Sequence, residues 1–153
     1  MFKLVIADTS CLIVLTKIER LDLLQKTFDE ITISKVIKDE FGEKLPDWIQ
    51  VKKITDEKRQ QILEMDLDAG EASAMALGLE NEESLLLIDE RKGRKVARAL
   101  GLKITGTLGV IINAKEKNFI NSIREEIDKL RAIEFRMSEN LIQQILDKFE
   151  KDN

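Results

Sequence analysis

The apolar positions of this chain follow two periods in turn. Lys3-Leu4-Val5-Ile6-Ala7 is a short apolar run closed by Asp8-Thr9-Ser10. Such a run predicts a buried parallel strand that feeds a helix. Leu12, Ile13, Leu15, Ile18, Leu21 and Leu24 then recur at helical spacing, with Thr9 or Ser10 able to cap the helix. Ile31-Thr32-Ile33 predicts a second strand. Val36, Ile37, Glu40 and Phe41 predict a helix that Gly42 ends. Pro46-Asp47-Trp48 is a turn into Ile49-Gln50-Val51, an edge strand or extended stretch.

Asp56 to Met65 predicts an amphipathic helix with Ile62 and Leu63 inward. Leu67-Asp68-Ala69-Gly70-Glu71 opens another, with Ala72, Met75, Ala76 and Leu79 on its inner face. Leu85 to Ile88 is the second strong strand, Arg91 to Leu100 a basic helix, and Lys103-Ile104-Thr105 a short strand. Gly106-Thr107-Leu108-Gly109 begins the next helix. Ala-Leu-Gly-Leu occurs at 76–79 and 99–102, each Gly reading as a helix stop. Ile123 to Phe149 predicts two more amphipathic helices, the last starting at Ser138 and Glu139. Strands that alternate with helices imply an α/β domain with a mostly parallel sheet covered on both faces. We expect one domain over residues 1–153, with 121–153 as a C-terminal helical extension. The apolar positions of that extension, from Ile123 to Phe149, suggest packing on a second copy, or simply on the chain's own sheet.

Composition narrows the chemistry. The chain has no histidine, no tyrosine and one cysteine, Cys11. That excludes Ser-His-Asp and Cys-His catalysis and a Cys/His zinc site within one chain. A single cysteine makes no intrachain disulfide and fits a reducing compartment. No apolar run approaches the roughly 20 residues of a membrane span, and Asp8 interrupts anything like a signal peptide. The expected location is the cytoplasm. Net charge is 25 − 29 = −4, so only a local basic patch would hold nucleic acid.

Four acids fall where this architecture turns toward one edge: Asp8, Glu40, Glu71 and Asp89, or its neighbour Glu90. Each also fits a plain structural use. Asp8 suits an N-cap, Glu40 an exposed helix position, Glu71 a capping box with Asp68, and Asp89 the cap of the basic helix. Taken as a set, four clustered carboxylates repel unless a divalent cation holds them ionised. Oxygen donors alone favour hard ions such as Mg²⁺ or Mn²⁺. The run Arg91-Lys92-Gly93-Arg94-Lys95-Val96-Ala97-Arg98 puts five cations early in a helix, where the dipole disfavours them. Either it holds phosphates or it is a solvated face. Ser10 and Thr107 lie at helix starts, where hydroxyls cap and amides attract anions. Cys11 reads as a core residue and Trp48 as rim or core.

Ile6-Ala7-Asp8-Thr9-Ser10, Glu40 in its Val36–Phe41 context, Leu67-Asp68-Ala69-Gly70-Glu71-Ala72, Leu87-Ile88-Asp89 and Gly106-Thr107-Leu108-Gly109 together resemble the PIN-domain family. They are most similar to a prokaryotic subgroup related to the toxin ribonucleases of toxin–antitoxin pairs. The resemblance spans residues 3 to 120. It implies a three-layer α/β/α sandwich, an acidic Mg²⁺ or Mn²⁺ site, endoribonuclease activity on single-stranded RNA, and often an antitoxin partner and a homodimer. Carried over, Asp8, Glu40, Glu71 and Asp89 become metal ligands and catalytic residues. Ser10, Arg91, Arg94, Lys95, Arg98 and Thr107 become substrate-binding residues, Thr107 matching the family's hydroxyl position. Two departures are Glu71, where many PIN nucleases carry the shorter Asp, and Cys11, where the subgroup tends to have proline. A catalytically silent PIN-fold protein that binds RNA or a protein partner is the alternative. Phosphohydrolases of the haloacid dehalogenase type need a second Asp where Ser10 stands, and receiver domains need further acids after the first strand.

Overall fold

A computed structural model describes residues 2–150. Leu4–Ala7 (β1), Ile31–Ser34 (β2), Ile49–Lys52 (β3), Ser84–Leu87 (β4) and Lys103–Thr105 (β5) form one sheet in the order β3-β2-β1-β4-β5. Every pairing is parallel, with Ile6 opposite both Thr32 and Leu86. Every residue of β2 and β4 is buried. Because strand side chains point alternately to the two faces, that burial requires helices on both. The helices are α1 (Thr9–Lys17), α2 (Asp22–Phe28), α3 (Lys35–Phe41), α4 (Glu57–Leu63), α5 (Ala69–Glu80), α6 (Arg91–Ala99), α7 (Thr107–Glu116), α8 (Ile123–Ala132) and α9 (Glu139–Phe149). The result is an α/β sandwich around a five-stranded parallel sheet. The chain runs outward from β1 to β3, then crosses back to place β4 on β1's other side. Strand order therefore reverses between β1 and β4, where open parallel sheets leave a crevice at their carboxyl ends.

Three expectations are corrected. The single helix expected from Leu12 to Leu24 is two, α1 and α2. Glu19 adopts φ 58° and the Arg20 amide reaches back to the Leu15 carbonyl at 2.8 Å. The left-handed residue is not glycine, so the sequence carries no stop signal there. Gly78 is not a stop either: α5 runs on to Glu80. It is the crossing point with Leu102, whose Cδ2 would lie 3.0 Å from a Cβ at 78. Gly101, at φ 81°, does end its helix. Finally, Ile62 is 67% exposed, and the buried residue of α4 is Gln60.

The C-terminal helices are part of the same core. Ile123, Ile127, Leu130, Ile142, Ile145 and Leu146 are buried with the strand residues. Of the apolar set that suggests a second copy, Leu141 alone is classed as exposed, at 42%. The nearly buried Glu126 pairs with Arg20 at 3.0 Å and Lys129 at 3.2 Å, tying α8 to the turn between α1 and α2. Glu150 Oε1 accepts from the Ile123 and Arg124 amides, so the end of α9 closes the start of α8. No helix among the described residues is long and apolar enough to cross a membrane.

Candidate active site

Asp8 leaves the sheet where β1 ends, its amide still bonded to the Leu87 carbonyl at 3.0 Å. It occupies the N-cap position of α1, but its side chain makes no capping bond. The carboxylate is 4% exposed and accepts the Ser10 hydroxyl at 3.2 Å. Burial lifts it from its ordinary 3.8 to about 6. The Thr9 amide and Ser10 hydroxyl oppose that rise, and the charges of Asp68 and Glu40 add to it.

Glu40 comes from α3, whose start is fixed by Ser34 at the end of β2. The Ile37 amide donates to Ser34 Oγ at 3.1 Å, and Ser34 shares a 2.6 Å hydroxyl contact with buried Ser73. Ser73 in turn donates to the Gly70 carbonyl at 2.8 Å. This chain of short bonds sets α3 against α5. The Thr9 hydroxyl donates to Glu40 Oε1 at 2.7 Å. Gly70 allows the approach, since a Cβ there would overlap Glu40 Oε1.

Glu71 forms the capping box that its spacing suggests and also faces the cleft. Its amide donates to Asp68 Oδ1 at 2.8 Å, and its Oε1 accepts the Asp68 amide at 3.4 Å, which closes a capping box. Its Oε2 is buried and accepts no hydrogen bond among the described residues. That oxygen lies toward Glu90 and over Gly93, where a Cβ would stand 2.7 Å away. Burial, then the charge of Asp68, pushes Glu71 from 4.5 to about 8. Glu90 goes the other way: the Gly93 and Lys92 amides donate to it at 2.7 and 3.1 Å, and the Gly93 bond leads in holding it down. Asp8, Glu40, Asp68, Glu71 and Glu90 thus line one open cleft of about 400 Å³, with Ser10 and Ile13 at its mouth.

Asp89 sits elsewhere. It is neither the cap of the basic helix, which is Glu90, nor a wall of the acid cleft. Its two oxygens take the Thr107 amide at 2.7 Å and the Thr107 hydroxyl at 2.6 Å, so it anchors the start of α7. Thr107 is fully buried, and its hydroxyl also faces Cys11 Sγ at 3.6 Å. The buried Cys11 thiol is pushed well up, by burial first and then by Asp89.

A family model described as a PIN domain matches residues 4–151. The chain belongs to the PIN-domain family. No curated protein matches it. PIN domains are generally nucleases that use divalent metal ions, and the acid cleft of this one suits such an ion by its chemistry. No Lys or Arg lines the cleft among the described residues. Its donors are all carboxylate and hydroxyl oxygens, one of them an orphan, and burial followed by neighbouring carboxylates raises both Asp8 and Glu71. As the side chains stand, no three described acids form a ready ligand set. Mg²⁺ does not require one, because it binds through one or two carboxylates and keeps several waters.

A second groove of about 760 Å³ adjoins the cleft of this PIN domain, sharing Ser10 and Glu90 with it. Arg91, Arg94 and Arg98 line it. Lys95, exposed on the same helix, and Thr107, sealed in the core, line neither space. Sequence reasoning missed Asp68 as a cleft acid, although its capping-box spacing to Glu71 sends both side chains to one place. It also missed Lys17 and Arg136, which enter the groove from α1 and from the connection between α8 and α9. No local pattern marks either.

Proposed function

We propose that this PIN domain is a metal-dependent endoribonuclease that hydrolyses phosphodiester bonds in single-stranded RNA. One observation carries the reading. A cation-free acid cleft with an orphaned carboxylate oxygen opens directly onto an arginine-lined groove. Asp8, Glu40 and Glu71 would hold Mg²⁺ or Mn²⁺ directly or through water, with Asp68 and Glu90 close behind. Such an ion, when bound, supplies an activated water and charge for the leaving oxygen. The chain's own residues do the rest. The Ser10 hydroxyl orients Asp8, and the Thr9 hydroxyl fixes Glu40. Glu71 gives up its proton on loading, so binding strengthens as pH rises. Arg91, Arg94 and Arg98 steady the phosphates beside the cleft, and Asp89 holds the start of α7. A role as the toxin of a toxin–antitoxin pair, with a small protein as inhibitor, is part of the same proposal.

The test is cleavage of a fluorophore–quencher RNA by purified protein with Mn²⁺, Mg²⁺ or EDTA. Cleavage should require the ion and disappear in Asp8→Asn, while that variant melts higher than wild type at pH 7 because a buried charge is gone. A second reading, supported by the net charge of −4 and by Glu71 standing where many PIN nucleases carry the shorter Asp, is a silent PIN fold that binds RNA or a protein. RNA binding without cleavage under any of these ions would establish it.

A further inference from the structure

The larger groove gathers five cations, Lys17, Arg91, Arg94, Arg98 and Arg136. Nine ion pairs are formed among the described residues, and none uses Lys17, Arg91, Arg94, Arg98 or Arg136. This occurs in a chain with 29 acidic side chains. Arg94 is engaged by the Ile88 carbonyl at 2.8 Å. The acids in the lining are Asp89, Glu90 and Glu134, so the five cations outnumber them by two (5 − 3). The cations come from three separate elements: α1, α6 and the α8–α9 connection. Half-buried Phe135 lies on that connection, next to Arg136 and within the same lining.

We infer that the α8–α9 connection is the second wall of an RNA path, a subsite for nucleotides that flank the scissile phosphate. Lys17, Arg98 and Arg136 take phosphates there, and the Phe135 ring takes a base. Cations beside an aromatic face are the pairing that holds a single strand without reading its sequence. An acidic peptide would meet the cations equally well. A polynucleotide is the better occupant because the groove is continuous with the acid cleft at Ser10 and Glu90, where a phosphodiester would have to arrive. The inference rests on the ribonuclease reading for its substrate, but binding tests it separately from cleavage.

The probe is a fluorescein-labelled 12-nucleotide oligo(U) or oligo(A), followed by anisotropy in EDTA from 50 to 200 mM salt. The triple variant Lys17→Ala/Arg98→Ala/Arg136→Ala changes three exposed side chains and should melt with wild type. At about 0.7 per contact on a single strand, its log–log salt slope should be smaller by about 2, and affinity at 50 mM should fall at least about tenfold. Lys38→Ala/Lys44→Ala/Lys58→Ala changes the charge equally, off the groove, and should leave both unchanged. Phe135→Ala should weaken binding by roughly fivefold or more with an unchanged slope, and Phe135→Trp should restore it. A triple variant with wild-type affinity and slope overturns the inference even if the protein cleaves RNA. So does a groove that binds an oligo-glutamate peptide and no RNA. RNA that binds through these residues and is never cut keeps the path and removes the nuclease.

Discussion

Glu71→Gln separates the charge in the acid cleft from its architecture. Gln keeps the acceptor for the Asp68 amide and offers an N–H toward Glu90 in place of the carboxyl proton, so the capping box survives. With Glu71 raised from 4.5 to about 8, the folded chain keeps a proton that the unfolded chain releases above pH 4.5. The stability from this group is thus complete below pH 4.5 and falls by about 1.4 kcal/mol per pH unit until pH 8. Between pH 5 and 7 the fall is on the order of 3 kcal/mol. Asp8, raised from 3.8 to about 6, adds on the order of 1 kcal/mol between pH 5 and 6 and little above. In metal-free buffer, wild type should therefore lose about 4 kcal/mol over this interval and Glu71→Gln about 1. At roughly 2–4 °C per kcal/mol for a chain of this size, the two melting temperatures should diverge by about 5–10 °C from pH 5 to pH 7. Differential scanning calorimetry after dialysis against EDTA measures this. Adding Mn²⁺ should shrink the wild-type fall, because the ion favours ionised oxygens. Melting temperatures that run parallel from pH 5 to 7 would refute the reasoning.

Other substitutions probe the supports. Gly93→Ala places a methyl group 2.7 Å from Glu71 Oε2 and 2.6 Å from Ile88 Cδ1; it should cost about 1–3 kcal/mol in urea unfolding and lower cleavage by displacing Glu71. Arg20→Ala leaves Glu126 buried with Lys129 alone, and should cost about 3 kcal/mol by the same measurement without changing the affinity for Mn²⁺. Asp89→Ala strips the Thr107 amide and hydroxyl of their acceptor, and should lower stability by about 1–3 kcal/mol while titration calorimetry still detects Mn²⁺ binding.

Much of the fold is legible because its strands are short, apolar and bounded, and the parallel order follows from their alternation with helices. The errors have local causes. The break after α1 uses Glu19 in a conformation normally left to glycine. Gly78 has the punctuation of a helix end, yet it serves the packing of Leu102. In the cleft, Asp8, Glu40 and Glu71 were readable as acids at element ends. Of the adjacent pair Asp89 and Glu90 that the sequence offers, Glu90 turns back to its own helix and into the cleft, while Asp89 reaches across to α7. Which of two adjacent acids faces a cleft depends on backbone direction after β4, which spacing alone does not encode. Lys17 and Arg136 stand 119 positions apart (136 − 17) in the sequence, and only the packing of α8 and α9 into the common core brings them to one groove.

That packing has a consequence for when the protein becomes itself. Ile123, Ile127, Leu130, Ile142, Ile145 and Leu146 share the core with β1. At roughly 1.5–3 kcal/mol each, their burial is worth on the order of 10 kcal/mol, the size of a whole domain's net stability. During synthesis, residues 1–120 emerge with the seat of these six side chains still bare. That part of the core stays uncovered until about residue 146 has been made.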